Sequence, residues 1–282
     1  MIDGSPRLVV LGAAGFVGSH VLRECWDRGH EAIGVSRNGN IGRAERVNLE
    51  PLDLDREVPR FGDAVCVHLA EPNLQNDPEI SAQNLLRAKH VLAAPFSRIV
   101  YCSSAGVYGG QVSTPRRENE SVTGTTEYAR SKIAVEELMA ADPRCVTVRP
   151  ANVYGRGMSR HNVLSDILGQ RHSPGPIRLR DLTPVRDYVA VSDVADAIVE
   201  IALSDVSGTF NIGSGRGTSV LELATLVCEV WGQPDRVITG TQKTSAPSHL
   251  VLCIERLHTE LGWSPSVSLK DGIAQLTQEG AS

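Results

Sequence analysis

Leu8-Val9-Val10-Leu11-Gly12-Ala13-Ala14-Gly15-Phe16-Val17-Gly18 is the stretch that decides how this chain folds. Its first four residues are a continuous apolar run, too short for a helix and rich in β-formers, which reads as a buried parallel strand. Gly12, Gly15 and Gly18 follow without a gap, and Val17, Val21, Leu22 and Cys25 then recur at helical spacing. That recurrence gives the next helix one buried face. In such a strand–turn–helix, Gly12 permits the tight turn, Gly15 lets backbone approach a ligand, and Gly18 lets helix and strand pack closely. The N–H groups at the helix start suit a diphosphate. The bland alternative is the same unit with nothing bound; its position directly after an N-terminal strand favours a nucleotide.

Further along, strands are expected at Glu31 to Val35, Val47 to Leu49, Ala64 to Leu69, Arg98 to Cys102, Val146 to Val148 and Phe210 to Gly213. Helical spacing marks Pro78 to Ala94, Tyr128 to Ala141, Ser192 to Leu203 and Ser219 to Trp231. Strands alternating with helices imply an α/β chain with a Rossmann-type, doubly wound parallel sheet. Gly109 to Thr126 reads as a loop over the ligand edge, and Arg156 to Pro184 as an irregular substrate cap. The expected division is a dinucleotide-binding domain over 1–150 and a smaller, interleaved C-terminal substrate domain over 151–282, with 186–204 returning to the first.

Composition narrows the class. With 282 residues, 41% hydrophobic and 22% charged, the chain is ordinary for a globular protein. Its net charge of −5 argues against a nucleic-acid or anionic-membrane binder. No apolar run spans a bilayer, and Met1 to Pro6 lacks the basic and apolar regions of a signal peptide. The six cysteines are scattered without a CxxC pair, which fits a cytoplasmic chain and gives no ligand set for a metal.

Ligands of doubly wound sheets sit beyond the carboxyl ends of the strands, where Gly12, Ser36, Ala70 and Ser104 fall. Ser36-Arg37 ends the second strand where NAD-preferring folds carry an acid; an arginine there accommodates the 2′-phosphate of NADP. Its plain alternative is a solvated loop arginine. Asp53, followed by Leu54, can accept from an adenine amino group or cap a turn. Tyr128 and Lys132, four residues apart, share one helix face. An ammonium beside a phenol stabilises the phenolate, which suits the tyrosine to general acid/base work. Ser104 is placed to polarise the carbonyl or alcohol on which it acts. Alone, a YxxxK pair is a frequent accident of exposed helices; with the glycine turn and the strand-end serines it is a constellation.

Together, Gly12-Ala-Ala-Gly15-Phe16-Val17-Gly18, Ser103-Ser104-Ala-Gly-Val-Tyr108-Gly109 and Tyr128-Ala-Arg-Ser-Lys132 resemble the extended short-chain dehydrogenase/reductases of the nucleotide-sugar epimerase/dehydratase group. The likeness continues through Arg149-Pro150-Ala-Asn152-Val-Tyr154-Gly155, Arg186-Asp187-Tyr188-Val189, Phe210-Asn211-Ile-Gly213 and Leu261-Gly262-Trp263. The resemblance implies Tyr128 as acid/base, Lys132 on the nicotinamide ribose and Ser104 as the catalytic hydroxyl. It implies Gly12, Gly15 and Gly18 at the pyrophosphate, Asp53 at the adenine and Ala70 along the cofactor path; Phe16, Val17, Ser36, Arg37, Leu54 and Leu69 complete the expected cofactor-binding set. It assigns Asn152 and Arg186 to the substrate diphosphate, for which a forked guanidinium is well suited. A turn residue and a surface ion pair are the plain alternatives for those two. It also implies a homodimer through the Tyr/Lys helix and its predecessor.

Departures from the family pattern select among its reactions. The dehydratases carry an Asp-Glu pair after the catalytic hydroxyl, and another branch a cysteine; here Ala105 and Gly106 stand there. Hydride chemistry remains: a ketoreductase using NADP, or a 4-epimerase holding NAD. Arg37 and the short chain favour the reductase, acting on a nucleotide-linked keto-deoxysugar. The arginine-rich segment that grips the diphosphate in many members is replaced by Lys243 and Thr244-Ser-Ala-Pro-Ser-His249. A sugar dehydrogenase without nucleotide recognition is therefore a further reading, and a dinucleotide sensor without catalysis is a rival of another class.

Overall fold

Leu8, Val9, Val10 and Leu11 form β1 (Leu8–Leu11), fully buried and paired on both sides, in a computed structural model that describes residues 6–37, 39, 49–71, 78–242 and 248–279. The strands β2 (Ala32–Ser36), β3 (Glu50–Pro51), β4 (Val65–His68), β5 (Arg98–Cys102) and β6 (Cys145–Pro150) follow. Then come β7 (Asn152–Tyr154), β8 (Ile177–Leu179), β9 (Val185–Ala190), β10 (Gly208–Ile212), β11 (Gly217–Ser219), β12 (Ile238–Gly240) and β13 (His249–Leu250). The helices are α1 (Phe16–Asp27), α2 (Pro78–Ala93), α3 (Glu127–Ala140), α4 (Val163–Leu168), α5 (Val191–Leu203), α6 (Val220–Val230), α7 (Glu255–Leu261) and α8 (Leu269–Glu279).

Seven parallel strands run in the order β10-β6-β5-β4-β1-β2-β3. The order reverses between β1 and β4, which is where ligands of doubly wound sheets bind. Alternation along β1 sends Leu8 and Val10 into the apolar cluster with α1 and α5, and Val9 and Leu11 into the one with α2 and α3. Each such buried side chain contributes about 1.5–3 kcal/mol, so the expected doubly wound layering follows from the residues themselves. Arg28 ties α1 to α5 through Glu200 (2.6 Å) and Asp196, and the Trp263 indole donates to Asp196 from beyond α7.

A second, smaller unit gathers around β9, which pairs with β7, β11 and β13, while β8 pairs with β12. Its core packs α4, α6 and α8 around Tyr154, Tyr188 and Ile273. The chain re-enters the large sheet through α5 and β10.

Two expectations need correction. The strand that pairs with β2 is Glu50–Pro51, not Val47 to Leu49, of which 47 and 48 lie outside the described residues. An exposed two-residue edge strand carries no apolar alternation to betray it. Arg156 to Pro184 is not irregular throughout: it holds α4, capped by Asn162, and β8. The loop Gly109 to Thr126 is tethered, with Glu118 accepting from the Asn211 amide and Arg116 paired to Glu120. Among the described residues no helix is long and apolar enough to cross a membrane, and no His/Cys/Asp/Glu group could hold a metal.

Candidate active site

The glycine turn is a cradle defined by what a side chain would hit. Gly12 has φ +88°, and a Cβ on it would lie 2.8 Å from the Leu69 carbonyl carbon. A Cβ on Gly18 would lie 2.2 Å from the Gly12 oxygen, so the first turn of α1 can close on β1 only with glycine there. The turn and α1 open into a cavity of about 710 Å³, lined by Gly12, Gly15, Phe16, Val17, Gly18, Leu69, Ser104, Tyr128, Lys132 and Asn152. Ten positions singled out in the sequence thus share one space. The first backbone amides of α1, which no preceding helical turn supplies with acceptors, face a space lined by Phe16 and Val17 and suit a dinucleotide pyrophosphate.

Ser104 ends the β5 edge, and its Oγ accepts from the Gly106 amide (3.1 Å) as cap of the short 3-10 turn Ala105–Tyr108. Gly106 separates Ser104 from Tyr128: a Cβ there would be 3.4 Å from Ser104 Oγ and 3.9 Å from Tyr128 Cε1. Thr126 caps α3 by accepting from Ala129, which fixes the register that turns Tyr128 and Lys132 to the cavity. Lys132 Nζ donates to Glu71 Oε2 (2.5 Å) and to the Cys102 carbonyl (2.7 Å). Burial disfavours its charge, but the Glu71 carboxylate above all outweighs that and holds the ammonium well above the ordinary lysine range. Glu71 was missed in the sequence; its signal was an acid directly after an apolar strand end.

The adenosine-side candidates lie outside this cavity and form a separate charged cluster. Arg37 stands 3.3 Å from Asp55 and 3.9 Å from Asp53. Asp55 is held chiefly by Arg87, which binds it with two bonds of 2.6 and 2.7 Å and keeps its carboxyl below the ordinary range. Asp53 accepts from the Asp55 amide, Ser36 receives Leu52 through its carbonyl, and Leu54 is buried with its carbonyl against His90. Ala70 packs on the α2–α3 cluster, its carbonyl accepting from Arg87, while its neighbours Leu69 and Glu71 line the cavity.

Asn152, on β7, also lines two adjoining cavities, of about 570 and 320 Å³, and Arg186 on β9 lines both. Ser104 lines the smaller one. Arg186 donates to the carbonyls of Val185 and Ser248 and to Ser248 Oγ. Arg178 and Arg180, from the β8 region, line the larger one with it. These two arginines were also missed, because alternation along a three-residue strand is too brief to show that they share a face. Of the segment Lys243 to His249, 243–247 lies outside the described residues.

Comparison with known proteins agrees with this geometry. The family model described as the NAD dependent epimerase/dehydratase family matches residues 8–213. A UDP-glucose 4-epimerase of Azospirillum brasilense is 29% identical over 315 residues, covering 96% of this chain and 90% of that protein. A GDP-L-fucose synthase of Sinorhizobium fredii is 29% identical over 310 residues, covering 98% and 95%. The solved UDP-glucose 4-epimerase of Thermus thermophilus, a complex with NAD, matches with a TM-score of 0.81 at 25% identity, covering 98% of this chain and all of that one. The glycine cradle, the Ser104, Tyr128 and Lys132 wall and a match over most of the chain make this a member of the NAD dependent epimerase/dehydratase family, an extended short-chain dehydrogenase/reductase.

Proposed function

We propose that the chain is an NADPH-dependent ketoreductase acting on a nucleotide-linked keto-deoxysugar, with C4 as the reacting carbon. One observation carries the reading: Ser104, Tyr128 and Lys132 share a cavity with the glycine turn, and no acid or thiol follows Ser104. The cavity next to it adds Arg178 and Arg180 to Arg186, which supports a diphosphate-bearing substrate despite the sequence around Ser248. When bound on the glycine turn, the reduced nicotinamide would supply the hydride. Tyr128 donates its proton to the carbonyl oxygen as negative charge develops there. Ser104 Oγ donates a hydrogen bond to the same oxygen while accepting from Gly106. The Lys132 ammonium, fixed by Glu71 and the Cys102 carbonyl, stands on the same cavity wall as Tyr128. Asn152 and Arg186 hold the diphosphate so that the sugar reaches Ser104.

A 4-epimerase with tightly held NAD is the second reading, favoured by the likeness to proteins named UDP-glucose 4-epimerase. The deciding experiment mixes purified protein with a nucleotide-linked 4-keto-6-deoxyglucose and NADPH, then NADH. Loss of reduced-nicotinamide absorbance, faster with NADPH, supports the reductase. No oxidation, with NAD released from the protein on denaturation, supports the epimerase.

A further inference from the structure

Glu71 uses its two carboxylate oxygens differently. Oε2 accepts from Lys132 Nζ (2.5 Å) and from the Tyr101 hydroxyl (3.2 Å). Oε1 is buried and has no hydrogen-bond partner among the described residues, on a side chain only 4% exposed. The residue lines the same cavity as Gly12, Tyr128 and Lys132. A buried carboxylate oxygen left without a donor is costly, so whatever fills the cavity is selected for carrying one. Lys132 has three N–H donors, and Glu71 and the Cys102 carbonyl take two of them. The two residues, joined at 2.5 Å and both lining the cavity, therefore hold one unused donor and one unused acceptor. That is the complement of a vicinal diol, in which one hydroxyl accepts while its neighbour donates.

We propose that Glu71 is a cofactor-binding residue, whose Oε1 accepts a hydrogen bond from one hydroxyl of the nicotinamide ribose while Lys132 donates to the other. The inference rests on reading the glycine-turn cavity as the dinucleotide site. A hexose of the substrate also carries vicinal hydroxyls, so the test uses cofactor fragments that contain no hexose. The full chain is titrated calorimetrically with ADP and with ADP-ribose, each also in its 2′-phosphorylated form.

Wild-type protein is expected to bind ADP-ribose about tenfold more tightly than ADP. Glu71→Ala is expected to lose most of that advantage with ADP affinity unchanged. An undiminished advantage in Glu71→Ala overturns the assignment. If Glu71→Ala loses ADP as well, the unpaired lysine has disturbed the site. Glu71→Asp, which keeps a charge beside Lys132 but draws the oxygen back by one methylene, then decides by the same criterion. If wild-type protein binds ADP-ribose no better than ADP, Glu71 is excluded while the dinucleotide site stands. If it binds neither, both fall.

Discussion

Lys132 Nζ lies 6.0 Å from the centre of the Tyr128 ring, one turn away on α3, yet no hydrogen bond joins them. The lysine is anchored to Glu71 and Cys102 instead, which fixes its ammonium on the cavity wall that it shares with the tyrosine. The two residues should therefore fail in different ways. Tyr128→Phe removes a proton donor and nothing structural, so turnover should fall by about 10²- to 10⁴-fold with NADPH affinity retained. Lys132→Met also strands the Glu71 carboxylate, and breaking a buried pair costs about 3–5 kcal/mol. Thermal melts alongside NADPH fluorescence titrations separate the two, and equal melting temperatures would sink this account.

Gly18→Ala tests the cradle. Its Cβ would meet backbone at 2.2 Å, which no side-chain rotation relieves, so both stability and cofactor binding should be lost. Gly29→Ala is the control: it has a positive φ (+80°) but no atom within 4 Å of the added Cβ. It should cost only about 1 kcal/mol, the strain of a left-handed backbone, and leave binding untouched. Cofactor affinity in both variants is the measurement.

His68 links burial to pH. Burial above all pushes its imidazole down to about 4, and neither ring nitrogen finds a partner among the described residues. As pH falls through the ordinary value of about 6.5, the unfolded chain takes up a proton that the folded chain refuses until about 4. Stability should thus be whole above pH 7 and decline across that window by about 3 kcal/mol. Urea midpoints at pH 7 and pH 5 should converge for His68→Leu relative to wild type. An unchanged pH dependence in the variant would show that another group carries it.

Much of this was legible because the residues concerned obey local rules. The buried run Leu8 to Leu11 and the glycines behind it need no distant neighbours to be read, and the Tyr128–Lys132 spacing belongs to one helix. Glu71, Arg178 and Arg180 were hidden because their meaning depends on partners far along the chain: Glu71 on Lys132 in α3, the arginines on Arg186 through β9. The edge strand Glu50–Pro51 and the short α4 and β8 were hidden for want of length.

Arg186 should govern substrate and not cofactor. Its guanidinium is fixed by Val185 and Ser248, and it lines the two cavities beyond Asn152. Lysine keeps the charge but not the fork. Arg186→Lys should raise KM for a nucleotide-linked keto sugar by about 10- to 100-fold with little change in kcat. The free keto sugar, lacking a diphosphate, should show no such change. An equal loss on both substrates would remove Arg186 from the diphosphate.

Arg37 should set which dinucleotide is preferred. It is well exposed and meets Asp55 at 3.3 Å, but Asp55 is already satisfied by the two bonds from Arg87. A surface pair of that kind holds an arginine by well under about 1 kcal/mol, so the guanidinium is free to turn to a 2′-phosphate, where a charge-assisted bond is stronger. Arg37→Ser should therefore reduce the preference for NADPH over NADH by about 10- to 100-fold, almost wholly through NADPH affinity. Raising salt from roughly 50 to 500 mM should erode the wild-type preference in the same direction, since an exposed charge pair is screened. If Arg37→Ser leaves the ratio unchanged, the arginine belongs only to its carboxylate neighbours Asp53 and Asp55, and the NADP reading falls to NAD.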